Sequence, residues 1–325
     1  MTDPVGLTAP APTARPVPED RSPRLRQRAT WRHVRVLAWA SLATNILLVV
    51  TGGAVRLTGS GLGCPTWPKC GDGAYVTRSE LGIHGVIEFG NRMLTFGLGV
   101  VAVATLAAAY LARPRRRSLR LLALALFLGI PAQAVLGGIT VLTKLNPWVV
   151  MLHLMCSLGL VAGAMLLVVR SGETDGASRL LVPSALRGLS AITLGLAVTV
   201  CYLGAVVTGS GPHAGDVQAR RTGLDPDRLS QLHADAVFLL VGVTLALVVA
   251  LRAVPSARAL RRAASVVLAV ELAQGAIGFV QYFTGLPPAL VAAHMLGAAV
   301  LVAAGARLVL ATRERLPRGE VPAAR

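Results

Sequence analysis

Charge is scarce in this 325-residue chain, and acidic charge is scarcer still. Asp, Glu, Lys and Arg together make up 14% of the residues, and only 15 are acidic against 32 basic. With 54% hydrophobic residues and a mean hydropathy of +0.63, the composition excludes a water-soluble domain. Cysteine is also sparse, at four residues. Residues 1–30 lack any apolar core and are rich in Pro and Arg, so a disordered basic tail is expected over 1–32. That tail is not read as a cleavable signal, because the first apolar run is long enough to be a span itself.

What the chain does have is long apolar runs. Eight of them, at about 33–54, 81–112, 119–142, 148–170, 187–209, 229–252, 263–283 and 289–311, reach the roughly 20 residues that cross a bilayer as helix. Backbone polar groups in lipid must be satisfied within their own segment, so helices are the expected form. The expected fold is an all-α polytopic membrane protein with eight transmembrane helices. The net charge of +17 would suit nucleic acid, but its placement argues against that partner. Arginines cluster at Arg15 to Arg35, Arg113 to Arg120, Arg252 to Arg262 and after the last run, whereas the intervening loops are nearly balanced. Such a bias marks the cytoplasmic side. Both termini are therefore expected inside, with loops 55–80, 143–147, 210–228 and 284–288 outside.

The runs repeat. Gln133, Gly137 and His153 recur 141 residues later as Gln274, Gly278 and His294, and Asn91 stands 142 residues before His233. The stretch Thr58–Gly61, TGSG, returns as Thr208–Gly211. Four helices plus four, both entering from the same side, imply parallel repeats about an axis normal to the membrane and two pseudo-symmetric four-helix bundles. The organisation expected is an N-terminal half over 33–170, a linker over 171–186, a C-terminal half over 187–312 and a cytoplasmic tail over 313–325.

His153, His233 and His294 each follow an outer boundary closely and share a depth. Two imidazoles on facing helices can hold iron from both sides of a flat macrocycle, and three ionisable residues at equivalent depth favour that role over core packing. Zinc would need further Cys or carboxylate ligands at suitable spacing. Glu88 and Arg92 are four apart, a spacing that serves an ion pair as well as a proton acceptor beside a haem edge. Cys64 and Cys70 share an outer loop stiffened by Pro65, Trp67 and Pro68. A disulfide is expected there, with two free thiols as the alternative. Cys156 and Cys201 are read as packing residues inside spans.

LTGSGLGCPTWPKC after the first run, IEFGNR in the second, and single histidines opening the fourth, sixth and eighth together resemble the haem A synthase family over about residues 35–311. The resemblance implies oxidation of the C8 methyl of haem O to a formyl group, giving haem A for terminal oxidases. It implies haem b on His233 and His294 and haem O as substrate, with haem A as product, in the N-terminal half. There it makes Glu88 catalytic, His153 an iron ligand, and Asn91, Arg92 and His84 substrate-site residues. Cys64 and Cys70 would be the outer-loop pair. The family commonly has histidine where this chain has Asn91, so its N-terminal iron would rest on His153 alone, with an open face, or His84 would substitute from two helical turns away. The location implied is the cell membrane, with haem sites toward the extracytoplasmic side. Partners implied are haem O synthase, terminal oxidase assembly factors and membrane lipid, with a homo-oligomer compatible. A di-haem electron-transfer protein needs the same histidines without Glu88, and a transporter on parallel repeats is the third alternative.

Overall fold

In the computed structural model, residues 22–71 and 73–317 are described, with side chains from residue 31. Eight helices long and apolar enough to cross a membrane account for nearly all of them. These are α1 (Ser22–Leu57), α2 (Gly82–Leu111), α3 (Arg117–Leu142), α4 (Pro147–Gly172), α5 (Ser184–Ser210), α6 (Pro226–Ala253), α7 (Arg258–Phe283) and α8 (Pro288–Ala311). The expected all-helical membrane protein is borne out. α1 begins at Ser22, inside the tail expected over 1–32, because past Pro23 the segment is Pro-free and rich in Arg and Leu, both good helix formers. The rest of that tail, 1–21, and residues 318–325 lie outside the described residues.

The starts of α4, α6 and α8 are sharply set. Each opens with proline at its first position, where a missing N–H costs nothing. Asn146 accepts from the Trp148 amide at 3.0 Å, and the Asp225 carboxylate accepts from the amides of Asp227 and Arg228. These three helices carry His153, His233 and His294 within two turns of those starts, so the caps help to determine the depth of the imidazoles.

α1 packs along α2 and α4, and α3 closes that set against both. α5 packs along α6 and α8, with α7 joining them, while α1 and α4 reach α8 and α4 reaches α5. One buried core joins Leu42, Val49, Leu158 and Val161 of α1 and α4 to Ala299, Val302 and Ala303 of α8. A second joins Ala197, Leu240, Leu247, Val267 and Leu301 within α5–α8. Small residues on α8 let four helices, α1, α4, α5 and α7, approach it closely. Cys201 is buried in the first core, whereas Cys156 faces outward from α4 and differs from the packing role expected of it.

The linker and the final segment are joined rather than separate. Ser178–Leu180 (β1) pairs antiparallel with Arg313–Arg315 (β2), in the one short sheet among the described residues. Arg116 holds Asp175 at 2.7 Å and stacks over the Trp31 ring at 4.9 Å, and Arg170 holds Glu173 at 2.7 Å. Arg116 and Arg170 are buried, where a paired and hydrogen-bonded guanidinium is the form that persists. The arginine-rich face is thereby closed by a clasp that connects the two halves.

Candidate functional site

At the opposite face, the segment between α1 and α2 folds down over the N-terminal end of α2. Cys64 and Cys70 are bonded to each other and fully buried, so the expected disulfide is present. Glu88 anchors this loop: one carboxylate oxygen accepts from the Cys64 amide at 2.6 Å, the other from Arg92 at 2.6 Å. Arg92 also donates to the carbonyls of Cys64, Thr66 and Lys69 at 3.1–3.3 Å. The ion pair permitted by the i, i+4 spacing is therefore formed, and it extends from α2 into the loop. Gly63 lies so close to the His84 carbonyl that any side chain there would collide with it. His84 itself is hydrogen-bonded to Ser60 at 2.9 Å, which ties it to the loop.

Beneath the loop, α1–α4 line a small, partly open cleft. Its wall includes Asn45, Gly52, Asn91, Gln133, His153 and Ser157. Glu88, His84 and Arg92 are not part of this wall; they lie between it and the loop. Gln133 donates to the His153 carbonyl at 3.1 Å and to Ser157 at 2.6 Å, which pins α4 to α3 at the level of the imidazole. Asn91 accepts from the Thr51 hydroxyl at 2.8 Å. The Gly137–Gly138 pair serves two neighbours at once. The His153 ring packs on Gly137, 3.3 Å from where a Cβ would stand, and the Trp67 indole fills the place a Cβ of Gly138 would take.

In α5–α8 the imidazoles of His233 and His294 face each other, with ring centroids 6.4 Å apart and planes at 75°. Glycine again makes room: a Cβ at Gly204 would stand 3.1 Å from the His233 ring, and one at Gly278 3.5 Å from the His294 ring. Gly278 therefore does for His294 what Gly137 does for His153, and the 141-residue spacing has a steric meaning. In all three histidines Nδ1 is buried without a hydrogen-bond partner; at His233 the Val200 carbonyl faces the ring without closing a well-aligned bond.

These residues fit an iron macrocycle. Two metal–imidazole bonds of about 2 Å each, laid end to end with the two half-rings, span a separation like that of His233 and His294. Among the described residues no three His, Cys, Asp or Glu side chains converge, so a metal here would be held by imidazoles together with a scaffold that is not protein. In α1–α4 a single imidazole borders a cleft, and an amide stands where the other half has His233.

Sequence reasoning missed several members of this region. Arg56 donates to the His213 and Thr208 carbonyls at 2.5 and 2.9 Å, locking the end of α1 to the TGSG segment of the second half. Its position two residues before the first TGSG was the available signal. His213 bonds the Leu286 carbonyl at 2.9 Å, a loop-to-loop tie at the rim of the second half. Trp67 lay inside the quoted motif and Thr51 just before it, but their partners Gly138 and Asn91 are distant in sequence. Glu271, buried in α7, accepts from Thr244 at 2.8 Å and had no counterpart to mark it.

Eight helices long and apolar enough to cross a membrane define a polytopic membrane protein. Residues 35–215 match the sequence profile described as "Cytochrome oxidase assembly protein" (COX15-CtaA), more than half of the chain, and the chain belongs to that family. It is 31% identical over 145 residues to proteins named "Heme A synthase" from Bacillus cereus (strain AH187), Bacillus anthracis (strain A0248) and Bacillus thuringiensis subsp. konkukian (strain 97-27). Each match covers 43% of this chain and 46% of the relative, so the chain spans about half the length of the curated relatives it matches. The family expected from the motifs is thus borne out.

Proposed function

We propose that the chain is a haem A synthase, which converts the C8 methyl of haem O into the formyl group of haem A, removing two hydrogens and adding one oxygen. Family membership supports the class. The observation that carries the assignment is the difference between halves: two imidazoles 6.4 Å apart in α5–α8, and an open cleft with one imidazole in α1–α4. The first is assigned to a resident haem b on His233 and His294, the second to the substrate, with His153 toward its iron. Haem b, when bound, supplies an iron that passes single electrons.

The remaining roles belong to the chain itself. Gln133 and Ser157 hold the backbone of His153, so the imidazole keeps one depth as substrate enters. The disulfide loop and Trp67 cover the outer end of the cleft against water. Glu88, one turn from Asn91 on α2, is assigned proton handling at the substrate half. Arg92 stabilises the carboxylate form, and the Cys64 amide fixes its orientation. Arg92 and His84 are assigned to the rim above the cleft.

The arginine clusters support a reading in which the β1–β2 clasp and both termini are cytoplasmic and the disulfide loop, with the haem sites, is on the extracytoplasmic side of the cell membrane. The two helix sets are read as pseudo-symmetric bundles about an axis normal to the membrane. Haem O synthase and terminal oxidase assembly factors are the partners this role implies. Co-expression with a source of haem O tests the proposal. Haem A in the extracted pigments is the expected result; haem O and haem b unaltered, with both sites filled, would leave a di-haem electron carrier instead.

A further inference from the structure

We propose that Thr51 and Asn91 form a hydrogen-bonding wall opposite His153, so that the α1–α4 site holds iron by one imidazole and admits small hydrogen-bond-accepting ligands, such as cyanide, that the His233–His294 site excludes. The inference rests on the haem-handling role given above to α1–α4.

Two substitutions occur together between the halves. When TGSG at Thr58–Gly61 is laid on TGSG at Thr208–Gly211, Thr51 of α1 falls on Cys201 of α5. Asn91 of α2 falls within one residue of His233 of α6 in the 141-residue register. One half therefore carries Thr and Asn where the other carries Cys and His. In the structure the first two are partners: the Thr51 hydroxyl donates to Asn91 Oδ1 at 2.8 Å. That bond uses one of the two lone pairs on the only atom by which a neutral amide could ligate a metal, and amide carbonyls suit Mg²⁺ or Ca²⁺ better than haem iron.

The same bond leaves the other end of the amide available. Asn91 Nδ2 has no hydrogen-bond partner among the described residues, and Asn91 is part of the cleft wall together with His153. An amide NH₂ carries two donors and no acceptor. Whatever occupies the space between Asn91 and His153 meets one imidazole on one side and a donor on the other. The α5–α8 half differs in both respects. Its two imidazoles are 6.4 Å apart, and an iron held by both has no position left for a further ligand.

Cyanide titration of the full chain loaded with iron protoporphyrin, followed by absorbance and electron paramagnetic resonance, tests this. The wild type should show two components, a high-spin one that cyanide converts and a low-spin one that it leaves unchanged. Asn91→Leu should raise the cyanide Kd by about tenfold, the factor for one neutral hydrogen bond. Thr51→Val, which frees the amide to turn, should raise it several-fold. Asn91→His should convert the high-spin component to a second low-spin one that cyanide no longer reaches. A wild-type chain with two low-spin components, neither answering to cyanide, would overturn the proposal while leaving the two-haem assignment intact, as would an unchanged Kd in Asn91→Leu and Thr51→Val. A chain that takes up a single haem, unaffected by His153→Ala, would remove this proposal together with the role given to α1–α4.

Discussion

Glu88 and Cys64 meet at 2.6 Å, a carboxylate oxygen of α2 against the amide nitrogen of the disulfide loop. The contact makes Glu88 the point where the loop, α2 and Arg92 converge. An ion pair alone would need only Arg92, and a buried carboxylate that also orients a loop can serve both structure and chemistry.

Glu88→Gln separates these roles. The single amide oxygen can accept from only one of Cys64 and Arg92, but the bonds from Arg92 to the Cys64, Thr66 and Lys69 carbonyls remain to hold the loop, so the α5–α8 haem spectrum should be unchanged. Turnover of haem O should fall by roughly 10²–10⁴-fold, the usual loss for an acid–base group. Parallel loss of both haems and of expression would instead make Glu88 purely structural, because an unpaired buried charge on Arg92 would then be the dominant effect.

His233→Ala and His294→Ala should each abolish the low-spin haem signal of α5–α8, measured by absorbance of the purified protein. Full retention of that signal in both variants would exclude the pair as ligands. His153→Ala should leave it intact and reduce haem retention in the other half.

Reduction of Cys64–Cys70, or Cys64→Ser with Cys70→Ser, should loosen the loop that carries Trp67 and presents an amide to Glu88. Haem A production should drop several-fold with the α5–α8 spectrum unaltered. Peptide mapping without reductant should recover the two cysteines linked, and free alkylation of both would contradict the bond.

The glycines beside the imidazoles give a steric test. Gly204→Val puts a Cβ 3.1 Å from the His233 ring, and Gly137→Val puts one 3.3 Å from the His153 ring. Overpacking of this kind costs about 1–3 kcal/mol and displaces the ring, so each change should perturb the haem of its own half only. Gly275→Ala, with open space around it, should be spectrally neutral.

Much of the fold was legible because each feature is local. A run of about 20 apolar residues spans lipid as helix whatever its neighbours are, and proline, asparagine and aspartate at the starts of α4 and α6 set their ends without distant help. The histidines were legible through the 141-residue register. The clasp of β1 and β2 was not, because two three-residue strands have no period to detect and pair across 135 positions. Nor was the exposure of Cys156, since an apolar helix in lipid has no polar face to reveal which side is packed.

By itself the sequence determined that this is a membrane protein of eight helices, with Gln133, Gly137 and His153 echoed 141 residues on, because hydropathy and spacing act along the chain. Only the tertiary structure decided which residues meet: Glu88 with Cys64, Thr51 with Asn91, Trp67 with Gly138, and Arg56 with the second TGSG segment. Those pairings depend on how closely helices approach and how a loop folds back. Side-chain volumes and hydrogen-bond geometry settle both, and neither leaves a period in the sequence.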